Sequence, residues 1–181
     1  LRMIPNLNVF RPADLIETAE CWQIALAAKS TPSVLALSRQ NLSQLRQSGG
    51  MLSGKGAYRL KAAGPARKVV LVASGSEVEL ALACAAELEG AGIGADVVSM
   101  PSWELFAAQD PAYRADILPA GVLKVSIEAG ATLGWERHVG SDGLTIGIDS
   151  FGASAPAEQL FAHYGFSVEA IVPKIKAKLG I

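Results

Sequence analysis

Val69-Val70-Leu71-Val72-Ala73-Ser74-Gly75-Ser76-Glu77 is the stretch whose reading decides the fold. Five apolar residues in a row, rich in β-branched side chains, read as a central parallel strand covered on both faces. Ser74-Gly75-Ser76 turns the chain, and Ser76 with Glu79 is a capping-box candidate for the helix that follows. Val78, Leu82, Ala85 and Leu88 line one face of that helix, and Gly90-Ala91-Gly92 supplies its C-cap. Downstream, residues 95–100 and 122–127 read as further strands. Asp110-Pro111 starts a short helix between them, with Pro at the first helical position, where its missing N–H costs nothing. Residues 144–148 read as a shorter strand. Ser154 predicts a cap for a helix through Ala157, Leu160 and Phe161 to Tyr164. Ser167 predicts another, carrying Val168, Ile171, Val172, Ile175 and Leu179, with Pro173 kinking it or marking its true start. The expected class is α/β: a three-layer, doubly wound, mostly parallel sheet.

Upstream, residues 4–41 read as strand, helix, strand. Leu7, Val9 and Phe10 form the first strand, and Arg11-Pro12 ends it. Asp14 stands at an N-cap position, with Glu17 three residues on. Leu15, Ala19, Trp22 and Leu26 mark one apolar helix face, Ser30-Thr31-Pro32 stops the helix, and residues 34–37 form a short strand. Two strands and one helix cannot bury both faces of a parallel sheet, so this βαβ unit is partial. Residues 42–67 show no sustained period. They contain Ser48-Gly49-Gly50, Ser53-Gly54-Lys55-Gly56 and Ala63-Gly64-Pro65, which read as a linker between domains.

The chain has 181 residues, of which 50% are hydrophobic and 18% charged, against about 25% charged in an ordinary soluble domain. Disorder is excluded by that apolar content. A net charge of −1 gives no general pull toward nucleic acid or an anionic membrane. No apolar run approaches the ~20 residues that span a bilayer, and no signal peptide is legible. Cys21 and Cys84 fall in helical patterns and read as buried thiols, which points to a reducing cytoplasm. The chain begins at Leu1, so the natural N-terminus is expected upstream. So low a charge content implies a surface partly meant for covering.

Few residues offer chemistry. The Ser74–Glu77 turn opens a helix, a place suited to anions, yet it is no Rossmann fingerprint or P-loop and reads first as turn and cap. Ser53-Gly54-Lys55-Gly56 only vaguely suggests a phosphate loop and reads as linker. His138 and His163 have no metal-ligand spacing, and with Cys21 and Cys84 far apart no zinc motif assembles. Glu128, Glu136 and His138 stand near a strand end, but Glu136 and His138, two apart, point in different directions on a helix. Arg39 is different. It follows the strand at 34–37, with Gln40 and Asn41 beside it, and so emerges at the C-terminal edge of a parallel sheet. A guanidinium there can grip a phosphate or carboxylate through paired donors, or form a structural ion pair with a residue such as Asp14.

These residues resemble a known family. Ile4-Pro5-Asn6-Leu7-Asn8-Val9-Phe10-Arg11-Pro12-Ala13-Asp14 and Ala36-Leu37-Ser38-Arg39-Gln40-Asn41-Leu42 are similar to segments of transketolases. So are Ala73-Ser74-Gly75-Ser76-Glu77-Val78, residues 100–110, Gly134-Trp135 and residues 147–156, in the family's order. The resemblance implies a homodimeric transferase of the pentose phosphate pathway that moves a two-carbon ketol unit between sugar phosphates. It uses thiamine diphosphate and a divalent metal (Mg or Ca). It further implies that residues 1–42 are the tail of the pyrimidine-binding domain, 43–66 a linker, and 67–181 the C-terminal domain. The family's catalytic, cofactor and metal residues would lie upstream, leaving this chain inactive alone. One role carries over: Arg39 matches the arginine that binds the substrate's terminal phosphate. The related alternatives are the β-type subunit of 2-oxo acid dehydrogenases and a deoxyxylulose-phosphate synthase. An alternative of another class is a non-catalytic α/β interaction or dimerisation module, which the lack of a dinucleotide fingerprint weakens.

Overall fold

The computed structural model describes residues 1–47 and 49–181. Ser48, part of the stretch read as linker, lies outside them. The first unit is the expected strand, helix, strand: β1 (Asn8–Phe10), α1 (Leu15–Ala27) and β2 (Ser33–Leu35). The two strands pair in parallel, with Val9 opposite Val34. Asp14 caps α1 by accepting the Glu17 N–H at 2.8 Å. The reciprocal half of the capping box is displaced by one residue, because the Glu17 carboxylate accepts from Ala13 N–H at 2.6 Å rather than from Asp14.

The linker reading is corrected over residues 52–61, which form a 3-10 turn (Leu52–Lys55) and strand β3 (Tyr58–Lys61). Then come β4 (Arg67–Ala73), α2 (Glu77–Gly90), β5 (Gly94–Ser99), α3 (Trp103–Ala107), α4 (Pro111–Ile117) and β6 (Leu123–Ile127). The chain closes with α5 (Glu136–Val139), β7 (Leu144–Ile146), α6 (Ala157–His163) and α7 (Val168–Leu179). The sheet order is β3-β5-β4-β6-β7. β4 pairs in parallel with β5 and β6, and β6 with β7. β3 runs antiparallel to β5. A four-residue strand flanked by glycine and proline carries too little period to be legible in sequence.

The quoted stretch is the centre of the sheet, and Val69 to Ala73 are fully buried. Alternation along the strand divides them. Val69, Leu71 and Ala73 face the core under α2 and α7, with Val78, Leu88, Ile171 and Ile175. Val70 and Val72 face the other core, with Met100, Trp103, Phe106 and Trp135. Each such side chain contributes about 1.5–3 kcal/mol on burial, so five consecutive apolar residues are accounted for by a helix layer on either side.

Two cap assignments change and a third holds. Ser76 makes no capping bond. Its hydroxyl donates to the adjacent Glu77 carboxylate, and Glu79 accepts from Ser43 instead. The α6 cap is Pro156, not Ser154. Pro173 lies within α7, whose cap is Ser167 as expected, with its hydroxyl oxygen accepting the Ala170 N–H. At the end of α2, Gly92 adopts φ +77°, and the N–H groups of Gly92 and Ile93 donate to Glu89 and Leu88 carbonyls. That is a Schellman motif, and it releases the chain into β5.

Candidate functional site

Helix α1 presents its two faces opposite to first expectation. Leu15, Trp22 and Leu26 are 77%, 50% and 71% exposed. Its buried positions are Glu17, Glu20 and Cys21, spaced i, i+3, i+4 on one face. Glu17 accepts from Tyr58 Oη at 2.6 Å and Ser99 Oγ at 2.5 Å, tying α1 to β3 and β5. Burial pushes the Glu17 carboxyl up against the opposing pull of those hydrogen bonds. Glu20 pairs with Arg46 and accepts both the backbone N–H and hydroxyl of Ser53. This carboxylate face joins the first unit to the second.

The main junction lies at the C-terminal ends of β4 and β6. Arg11, just past β1, sends Nη2 to Glu77 Oε2 at 3.0 Å and Nη1 to Glu128 Oε2 at 3.2 Å. Glu128 also receives Arg2 through a bidentate pair at 2.6 and 2.9 Å, and the Ser74 hydroxyl at 2.6 Å. Burial opposes the charge on Glu128, but Arg2 and Arg11 outweigh it and hold the carboxyl below the usual range. Glu77 is wholly buried and accepts Ala129 N–H at 2.9 Å. The Ser74–Glu77 turn therefore holds Arg11 through its own acid.

Above this junction is a cleft of about 260 Å3 between Ala36, Leu37, Ser38 and Gln40 on one side and Ser76 and Phe161 on the other. Arg39 stands in the loop that forms its first wall. Its side chain is exposed and makes no ion pair or hydrogen bond among the described residues. The Asp14 alternative is not what the structure contains. Asp14 Oδ1 takes Glu17 N–H, and Oδ2 takes Gln44 Nε2, Leu45 N and Arg46 N at 2.8, 3.2 and 2.9 Å.

The other sequence candidates do not assemble into an acid/base site. Glu128 is held in the arginine clamp, and Glu136 lies at the surface, accepting Gly134 N–H at 2.9 Å. His138 is packed among Trp103, Trp135 and Phe106, with its ring centroid 4.9 Å from that of Trp103. Burial, then Arg137 and Arg2, push its pKa down to about 4. His163 packs edge-on against Tyr164. Cys21 and Cys84 are free and buried, and burial pushes both thiols up to about 12. Ser53-Gly54-Lys55-Gly56 forms the 3-10 turn and not a phosphate loop, with Ser53 bonded to Glu20. Sequence reasoning passes over Arg2 and Arg11 as junction residues, although they are two arginines in an otherwise charge-poor N-terminal segment. Glu77 belongs to the turn read as suited to anions, and it holds a cation instead.

The fold and this junction define an α/β protein in which a two-strand unit is docked on a five-strand, mostly parallel one. Residues 1–44 match the family model of the transketolase pyrimidine binding domain, and residues 56–167 that of the transketolase-like TK C-terminal domain. The transketolase of Sinorhizobium medicae is 53% identical over 175 residues, covering 95% of this chain and 25% of that protein. That of Rhodobacter capsulatus is 51% identical over 186 residues, covering 98% of this chain and 28% of that protein. A solved transketolase from Leishmania mexicana superimposes with a TM-score of 0.91 at 43% identity, covering 99% of this chain and 26% of that one. The chain belongs to the transketolase family. It spans about a quarter of the length of the relatives it matches.

Proposed function

We propose that this chain is the C-terminal share of an enzyme that transfers a two-carbon ketol unit between sugar phosphates. Residues 1–42 are the tail of the pyrimidine-binding domain, 43–66 the connection, which carries β3, and 67–181 the C-terminal domain. The observation that carries this reading is Arg39. It is an exposed guanidinium without a partner among the described residues, just beyond the C-terminal end of β2. Ligands of open α/β sheets bind at that edge. Arg39 grips the terminal phosphate of the sugar and so places the far end of the substrate for reaction elsewhere.

Thiamine diphosphate and a divalent metal belong to the reading for the longer enzyme. Among the described residues, no group of three or more His, Cys, Asp or Glu side chains could hold a metal ion. The described residues thus do not fit the cofactor's metal. A homodimer in the cytoplasm, serving the pentose phosphate pathway, completes the reading. Its support is the exposed apolar face of α1 and the two free thiols. No helix among the described residues is long and apolar enough to cross a membrane.

The test joins residues 1–181 behind the N-terminal three quarters of the Sinorhizobium medicae relative. R39A should raise KM for a phosphorylated ketose about tenfold or more, the loss expected for charge-assisted hydrogen bonds. Turnover of an unphosphorylated ketose should stay within about twofold. Equal loss on both substrates removes Arg39 from the phosphate. The chain alone should not turn over xylulose 5-phosphate with ribose 5-phosphate, and measurable turnover overturns its assignment as a catalytically incomplete part.

A further inference from the structure

On the sheet face that carries Trp103 and Phe106, α3, α4 and α5 surround a second cavity of about 420 Å3. It shares no residue with the Arg39 cleft. Phe106 and Leu118 give it an apolar side, and Arg114 and Arg137 enter from α4 and α5. Both arginines are exposed, and neither makes an ion pair or side-chain hydrogen bond among the described residues. The nearby acids are engaged elsewhere. Asp110 accepts Tyr113 N–H at 2.8 Å, Asp116 takes Arg59, and Glu136 accepts Gly134 N–H. Two guanidinium groups on one cavity repel each other unless an anion lies between them.

The third polar group of the wall is His138. It is 8% exposed, and its Nε2 is buried with no hydrogen-bond partner among the described residues. Its aromatic neighbours cannot accept from it, because an indole nitrogen is a donor only. Burial and the adjacent Arg137 keep the imidazole neutral at pH 7, so one ring nitrogen carries a proton. Buried polar atoms in folded proteins are almost always satisfied. Nε2 is closed off from the cavity, so the imidazole stands beside the two arginines as part of the wall and donates nothing to a ligand there.

We propose that this cavity is a binding site for a small phosphate monoester, held by Arg114 and Arg137. The guanidinium forks supply the charge and the paired donors that phosphate oxygens match. Phe106 and Leu118 lie where the ester's carbon skeleton would rest. The volume is within the range of small-molecule sites.

The test uses the 181-residue protein with inorganic phosphate and then ribose 5-phosphate, at constant ionic strength balanced with chloride. The imidazole signals of His138 are followed by NMR. Phosphate should shift them saturably with a Kd on the order of 1 mM, and the ester should bind several-fold tighter than phosphate. The double variant R114Q/R137Q should weaken phosphate at least tenfold, with its melting temperature confirming an intact fold. A shift reproduced by chloride alone, or one that survives in R114Q/R137Q, overturns the site. Tighter binding of phosphate than of the ester overturns the assignment of the apolar side.

Discussion

Arg11, past the end of β1, and Glu128, past the end of β6, meet at 3.2 Å with the Ser74 hydroxyl between them. Glu128 simultaneously holds Arg2, and its side chain is only 6% exposed. Breaking a buried pair costs more than forming one gains, because the partners are left desolvated. E128Q should therefore destabilise the chain by about 3 kcal/mol at neutral pH in chemical denaturation. The sign with pH follows from its lowered carboxyl. Its contribution is present above the ordinary carboxylate range and lost as pH falls through the folded value. E128Q should lack that acid-side loss, and a cost below about 1 kcal/mol would remove Glu128 as the clamp.

His138 titrates in the opposite sense to a salt-bridged histidine. Its folded pKa of about 4 lies below the ordinary 6.5. The unfolded chain therefore binds a proton that the folded chain refuses, and stability falls as pH drops from 6.5 toward 4. Between pH 6.5 and 5 that loss is about 2 kcal/mol. H138F should lack this component, measured as the difference in unfolding free energy between the two pH values. Parallel curves for wild type and variant would refute it.

Gly56 and Gly90 make a contrasting pair. Gly56 has φ +74°, and a Cβ there would lie 2.5 Å from the Ser102 carbonyl oxygen, amid the backbone of α3. G56A should destabilise by more than about 3 kcal/mol, since backbone rather than a flexible side chain must move. Gly90 ends α2 with nothing within 4 Å of a built Cβ. G90A should stabilise by about 0.5 kcal/mol. Thermal melts of the two variants check both signs at once.

The exposed face of α1 is not needed by the chain itself. L15K/L26K should change the unfolding free energy by no more than about 0.5 kcal/mol. The same change should reduce self-association in sedimentation velocity, because a contiguous apolar patch is removed. A loss of several kcal/mol would mean that this face is packed in the isolated chain.

How much of this was legible depends on how local each signal is. The central strand at Val69 to Ala73, the helix that Gly90-Ala91-Gly92 terminates, and the Asp14 and Ser167 caps are written within a few consecutive residues. Strand β3 was hidden because its evidence is a partner, β5, far along the chain. The helix α1 pattern was read correctly as an apolar face, but apolar spacing alone does not say which side the protein covers. Here the carboxylate face is buried, because Tyr58, Ser99, Ser53 and Arg46 satisfy it. Arg39 was visible as a strand-end arginine. Its lack of a partner is not legible, because Asp14 is taken up by Gln44 and the backbone at 45–46, which no local pattern encodes.

The two strands of the first unit differ in what lies on their outer flanks. Val9 N–H donates to Glu104 at 3.2 Å and Arg11 N–H to the Pro101 carbonyl at 2.9 Å, so the side of β1 away from β2 is closed by the second unit. No strand pairs with the far side of β2 among the described residues. The small sheet can therefore be extended in one direction only. Any further strand, from the same polypeptide or another, must add beside residues 33–35. The docked second unit thus acts as an end-stop that sets the polarity in which the first sheet can grow.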